Sequence, residues 1–335
     1  MDILNALVAF LNFVFIPAAA YGAQLALGAL GVTLIYAILR FSNFAHGDTM
    51  AFGTAITILV TWGLQSLGVS LGPLPTALLA LPVGIAATAL LVLGIDRSVY
   101  RFYRAQKAAP IIFVMASVGV MFVMNGLTRL LIGVDEQRFD DGARFLIGVR
   151  DFREWTGLSE GLALRSTQAL TLVVTVVTCA ALFWFLNRTK SGKAMRAYSD
   201  NEDLALLSGI DPERVVRLTW IIAAALMTIA GVLYGLDKSF RPFNYFQILL
   251  PIFAAAIVGG LGNPIGAIAG GFLVAFSEVA VTYPWVKVAG YLFPGWQPGG
   301  LLQLLGTEYK FAVSFVILIV VLLFRPTGLF RGKSV

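Results

Sequence analysis

The chain has 335 residues, 59% of them hydrophobic and only 13% charged, with a net charge of +6. An ordinary soluble domain carries about 25% charged residues, so a water-soluble enzyme or a nucleic-acid-binding module is excluded; the cations also stand in short blocks at the ends of apolar runs rather than on one face. A hydrocarbon core about 30 Å thick is crossed by about 20 apolar residues, and such runs recur from end to end, which predicts an all-α, polytopic integral membrane protein in one transmembrane domain, 1–335.

In chain order, the first run, 3–16, has no Lys or Arg ahead of it and no small-residue cleavage site, so it is not read as a removable signal. Pro17 separates it from the next run, which leaves open whether it crosses, lies in the interface or extends the following helix. The first clear crossing, 21–39, ends at Arg40. Crossings at 48–66, 74–95 and 108–131 follow, with a basic block of Arg97, Arg101, Arg104 and Lys107 between the last two. A polar segment, 134–166, mixes acids with arginines, and 167–187 returns to a second block of Arg188, Lys190, Lys193 and Arg196. Further crossings at 216–236, 248–262, 265–283 and 309–324 close on Arg325, Arg331 and Lys333. The positive-inside rule makes the three basic blocks cytoplasmic. It places 134–166 outside and the C-terminus in the cytoplasm, with eight to ten spans in all. Asp237, Lys238 and Arg241 follow an outward span and fit an outer rim.

Two stretches read as broken or re-entrant. "NFAHGDTMAFGTAITIL" holds Asn43, the only histidine, His46, and Gly47; "LGNPIGAIAGGFLVAF" follows Gly260 and holds Asn263. Each is a polar, glycine-containing turn opening a helix of small residues, which predicts a pseudo-repeat of two halves. Non-helical backbone at membrane depth survives only where protein or a water-filled cavity satisfies it, and paired interruptions of this kind mark a translocation path. An ordinary pair of capped cytoplasmic turns is the alternative.

His46 admits three roles: proton carrier, substrate ligand, or a hydrogen-bonding post capping the helix ends, the last favoured by its neighbours Asn43 and Asp48. With no second histidine, a metal site is not expected. Glu278, in "GFLVAFSEVAVTY", is an acid inside an apolar run; such residues usually face the bundle interior, although its late position in an outward helix also fits the outer interface. Asn125 and Arg129 form a similar late pair, and Arg129 can snorkel outward. Cys179, the only cysteine, lies within an apolar run and reads as a packing residue. No catalytic constellation is present.

The segment 188–215 is too long and too patterned for a simple turn. From Lys193 to Leu207 it suits a short amphipathic helix; Gly209 ends it, and "DPER" restarts a helix with Asp211 as N-cap and Pro212 in the first turn. Such an element, held at the membrane by two flanking spans, suits docking to a cytoplasmic partner.

Five stretches in order carry a resemblance: "TLIYAILRFSNFAHGDTM", "DRSVYR", "KSGKAMRAYSDNEDLALLSGIDPERVVRLTWIIAAALMTIAGVLYG", "AAIVGGLGNPIGAIAGGFLVAFSE" and "EYKFAVSFVILIVVLLFRPTGLFRG". Over nearly its full length the chain resembles the first of the two permease subunits of branched-chain amino acid ABC importers. "GYLFPGWQPGG", 290–300, departs from that pattern as an insertion in an outer loop. The resemblance implies a bacterial inner-membrane importer with a second homologous permease, two cytoplasmic ATPases and a periplasmic solute-binding protein. It also implies that Gly192, Arg196, Asp200, Ala205, Gly209 and Ile210 form the segment coupled to the ATPase; the paired interruptions and the acid inside an apolar run are what put Asn43, His46, Gly47, Gly260, Asn263 and Glu278 near the translocation path. No cofactor is expected in this chain, since ATP binding needs GxxxxGK[ST] and "GLFRGKS", 328–334, is one residue short. Two alternatives stay open: a related importer for urea or short-chain amides, and a stand-alone ion-coupled transporter using Glu278 or His46.

Overall fold

The structure is a computed structural model that describes residues 2–139, 142–293, 300 and 302–330. Asp140, Asp141, residues 294–299 of the insertion, and the basic residues Arg331 and Lys333 lie outside them.

The chain is helical almost throughout: α1 Asp2–Leu39, α2 His46–Ser66, α3 Ala77–Ala105, α4 Pro110–Ile132, α5 Val149–Thr156, α6 Ser166–Arg188, α7 Lys190–Asp200, α8 Glu202–Leu207, α9 Pro212–Lys238, α10 Pro242–Gly259, α11 Pro264–Thr282, α12 Val286–Leu292 and α13 Thr307–Phe324. A short antiparallel pair, β1 Phe145–Ile147 and β2 Leu164–Arg165, lies between α4 and α6. Among the described residues eight helices are long and apolar enough to cross a membrane. The 21-residue α2 makes a ninth crossing by length; its first turn is polar, with His46, Asp48 and Thr49.

The open question at the N-terminus resolves as one continuous helix. Pro17 lacks an N–H and its ring crowds the preceding turn; a π-helical stretch at Leu11–Phe15 widens that turn just ahead of it. At 1.5 Å per residue the 38-residue α1 is about 57 Å long.

The packing is internally paired. Helix α1 packs on α9; α1 packs on α10 and α11 as α9 packs on α2 and α3; α2 packs on α3 and α4 as α10 packs on α11 and α13; and α2 meets α10. The halves are therefore related by exchanging α1 with α9, α2 with α10, α3 with α11 and α4 with α13. Since α1 and α9 run in opposite directions, the repeat is inverted. Both inner helices end on a left-handed non-glycine residue, Arg40 (φ 57) after α1 and Ser239 (φ 70) after α9. This corrects the pairing expected from sequence, which matched the start of α2 with that of α11. In an inverted repeat equivalent turns lie on opposite faces, whereas the α10–α11 turn shares a face with the α1–α2 turn.

That shared face is the one carrying the basic blocks. There Arg104 meets Asp96 at 2.5 and 2.9 Å, the Arg40 guanidinium reaches the end of α7, and the amide of Phe330 donates to the Gly259 carbonyl at 3.1 Å. On the opposite face Gln137 bridges Phe240, and α12 packs on the start of α1.

Glu160 stitches that opposite face together. Its carboxylate accepts from Lys287 Nζ at 2.8 Å and from the Tyr291 hydroxyl at 2.6 Å, while its amide donates to Asn5 Oδ1 at 3.2 Å. Burial alone would raise its pKa, but the Lys287 ammonium and the Tyr291 hydroxyl outweigh this and hold the carboxyl below the ordinary range. A depressed carboxyl stabilises above its unfolded pKa, about 4.3 for glutamate, and that stabilisation is lost as pH falls through the folded value. Protection of the amides of residues 157–163, taken as exchange relative to the unstructured rate at the same pH, is expected to fall on acidification below that range, and to be low already at neutral pH in Lys287→Met. Equal protection in the variant and the wild type would overturn this.

Candidate functional site

The α1–α2 connection does not stay at the basic surface. After Arg40 the chain turns back into the bundle, so that α2 begins at membrane depth. A Cβ on Gly31, about 12 Å back along α1 from its end at Leu39, would stand 2.7 Å from His46 Cε1 and 3.8 Å from the Ala223 carbonyl oxygen. Ala223 lies about 16 Å along α9 from its start at Pro212. The α9–α10 connection mirrors this from the other face: the Tyr245 hydroxyl donates to the Gly231 carbonyl of α9 at 2.7 Å. The two inward-reaching helix starts meet, because a Cβ on Gly47 would come within 2.5 Å of the Tyr245 carbonyl oxygen and 3.1 Å of Leu249 Cβ.

Of the three residues expected here, Asn43 makes the polar contacts. Its Oδ1 accepts from the Ala45 amide at 3.1 Å and the Tyr100 hydroxyl at 3.3 Å. Tyr100 stacks on Trp220 with centroids 5.4 Å apart, and Trp220 Nε1 donates to Asp96, which Arg104 clamps. This chain runs from the break to the basic surface. His46 is fully buried, and neither ring nitrogen has a hydrogen-bond partner. No side chain, that of His46 included, caps α2; the polar post of this turn is Asn43, whose short side chain folds back on the Ala45 amide. Asp48, 1% exposed, accepts from Asn125 Nδ2 of α4 at 2.7 Å. The threonines of α2 turn inward on their own helix: Thr49, Thr54, Thr57 and Thr61 each donate to the carbonyl four residues back.

Gly260 and Asn263 stand elsewhere, at the basic face. Gly260 (φ 109) ends α10, and Asn263 Oδ1 caps α11 by accepting from the amides of Ile265 and Gly266 at 3.0 and 3.1 Å. The turn walls a small cavity of about 190 Å³ with Arg196 and Asp200 of α7 and Leu34 and Ile38 of α1. Glu278, 1% exposed, lies near the opposite end of α11, where the Ser314 hydroxyl donates to it and Lys310 stands over the Tyr21 ring at 5.1 Å. The six expected path residues therefore occupy three levels: a deep crossing, the basic rim, and the far end of the bundle.

The residues expected to couple to the ATPase lie on two adjoining helices, α7 and α8, and the turn that follows them. Gly192 packs its α-carbon on the Phe185 carbonyl and Leu186, leaving no room for a side chain, and the Thr189 hydroxyl caps α7 from the Gly192 amide at 3.0 Å. Ala205 is buried, Gly209 (φ 78) ends α8, and the Ile210 amide donates to the Ala205 carbonyl at 3.0 Å. Leu204 and Leu207 of α8 are 60% and 85% exposed. Sequence reasoning missed Arg40, whose Nη2 donates to the Ser199 carbonyl of α7 at 2.7 Å. Its position as a lone cation ending an apolar helix was the available signal.

Comparison with known proteins places this sequence among transport proteins. The family described as branched-chain amino acid transport system, permease component, matches residues 15–322. The chain is 30% identical over 319 residues to the high-affinity branched-chain amino acid transport system permease protein LivH of Escherichia coli, covering 94% of this chain and 93% of that protein. It is 29% identical to the corresponding permease protein BraD of Pseudomonas aeruginosa, covering 94% of each. A shorter likeness, 27% identity over 151 residues, covers 42% of this chain and 36% of the E. coli permease protein LivM.

Proposed function

The chain belongs to the permease component family of branched-chain amino acid transport systems, and on that premise we propose that it is a subunit of an ABC importer, forming half of a path for branched-chain amino acids through a bacterial inner membrane. ATP is bound and hydrolysed by two separate cytoplasmic subunits. A periplasmic binding protein delivers the solute, and a second, related permease completes the path; the likeness to both LivH and LivM supports such a pair. The basic face, with the C-terminus, is cytoplasmic.

The observation that carries this reading is the link between surface and interior. Exposed leucines on α8 offer an apolar docking patch, α7 holds α8 against the bundle, and Arg40 ties α7 to the turn that opens α2 at depth. Motion imposed on α7 and α8 by a closing ATPase would reach the crossing of α2 with α10 through that tie.

Affinity purification of the chain is expected to bring down two ATPases and a second permease. Gly209→Ala, which forces a β-carbon into a left-handed backbone at a cost of about 1 kcal/mol, is expected to lower uptake while ATP hydrolysis continues. Uptake by the chain alone in liposomes, driven by a proton gradient, would overturn the proposal. A His46→Gln complex that imports normally from pH 5 to 8 would remove His46 from any proton transfer.

A further inference from the structure

On the face opposite the basic blocks a cavity of about 690 Å³ opens between residues 136–139 and 142–144, the start of α6 and the end of α9. Its size falls within the range of about 300–1,000 Å³ usual for small-molecule sites. Its floor at Gly235 lies over the α9–α10 break, where a Cβ would stand 3.0 Å from the Tyr245 hydroxyl. One wall is apolar, with Phe139 and Leu236; the others bring both signs of charge together in Asp237, Glu136, Arg144, Arg165 and Lys238.

Asp237 is unusual within this set. Its side chain is only 4% exposed, and no donor reaches Oδ1 within hydrogen-bonding distance. Arg165 Nη1 stands 3.8 Å and Lys238 Nζ 3.5 Å away, close enough to offset its charge but beyond the 2.7–3.2 Å of an N–H···O bond. A buried carboxylate normally has such partners. By contrast Glu136 is satisfied, since Arg138 binds it at 2.9 and 3.1 Å. Asp237 thus keeps an open acceptor inside a cavity, flanked by two half-exposed cations whose own donors have room for an anion.

We propose that this vestibule is a binding site for the zwitterionic head of an α-amino acid. The Asp237 carboxylate takes the α-ammonium, Arg165 and Lys238 take the α-carboxylate, and the side chain of the solute lies against Phe139 and Leu236. The proposal rests on the importer reading and adds to it the place on this chain where the charged head of the solute is held, a site that a neutral amide such as urea would not fill.

The test is binding of radiolabelled L-leucine to the full chain in nanodiscs without any solute-binding protein, with competition by L-leucinamide, which lacks the carboxylate, and by 4-methylpentanoate, which lacks the ammonium. Leucine is expected to bind saturably, and each truncated analogue to compete at least about tenfold more weakly, as the loss of a charge-assisted hydrogen bond implies. Asp237→Asn is expected to weaken leucine by a similar factor without altering competition by 4-methylpentanoate. Arg165→Gln, at a half-exposed position that does not endanger folding, is expected to weaken leucine but not leucinamide. Equal competition by all three solutes, wild-type affinity in both variants, or no saturable binding to monodisperse wild-type chain would overturn the proposal. Uptake of leucine by the assembled complex in the face of such a result would leave the importer reading standing.

Discussion

Alanine at position 47 is expected to lower both stability and uptake, while alanine at Gly63 leaves both unchanged. At Gly47 the added β-carbon would stand 2.5 Å from the Tyr245 carbonyl oxygen, and a backbone atom inside a helix cannot rotate away as a side chain can. The helices α2 and α10 would have to part where they cross, an overpacking cost of about 1–3 kcal/mol. At Gly63, further along the same helix, nothing lies within 4 Å of the added carbon. Thermal unfolding of the purified chain should therefore separate the two variants by several degrees, and uptake should fall in the first alone, because parting α2 from α10 moves His46 off Gly31 of α1 and Asn43 off Tyr100 of α3. Wild-type melting in Gly47→Ala would mean that the two helix starts do not meet as described.

The second large effect is expected at Arg40. Removing its guanidinium cuts the tie from α7 to the α1–α2 turn, a charge-assisted hydrogen bond at the solvent-exposed surface, worth about 1.5 kcal/mol at most, or roughly tenfold in an equilibrium that the tie biases. Arg40 also holds φ at 57°, so alanine mixes loss of the tie with backbone strain. Glycine separates them, since it takes that backbone freely. Both Arg40→Ala and Arg40→Gly are expected to lower uptake by about tenfold with ATP hydrolysis retained, and the glycine variant should unfold at the higher temperature. Normal uptake by Arg40→Gly would show that the guanidinium transmits nothing.

Much of the helical framework was legible because hydropathy fixes where a chain crosses, and charge bias fixes which ends share a face. The same signals say little about depth. Residues 40–47 and 259–263 both read as polar, glycine-containing turns, yet one re-enters the bundle and the other stays at the rim. The difference lies in packing partners, Gly31 and Ala223 for His46 against α7 and the 325–330 tail for Asn263, and all of these are remote in sequence. The same remoteness hid the inverted pairing of α2 with α10, whose sequences share no pattern beyond a start packed on a glycine of the preceding helix. It also hid the vestibule: Asp237 and Lys238 were readable as rim residues, but nothing local shows that Arg165, the last residue of β2, faces them across a cavity.

The polar first turn of α2 has a consequence for biogenesis. Its threonines close their hydrogen bonds within the helix, but His46 and Asp48 are shielded by α1, α4 and α9. An aspartate at the centre of an inserting helix costs about 2.5–3.5 kcal/mol, and although Asp48 sits nearer an end, no apolar excess in α2 comparable to that of its neighbours offsets it. Helix α9 leaves the ribosome only after α6, α7 and α8. Integration of α2 is therefore completed by a helix made much later, so the order in which this protein settles into its membrane differs from the order in which it is synthesised.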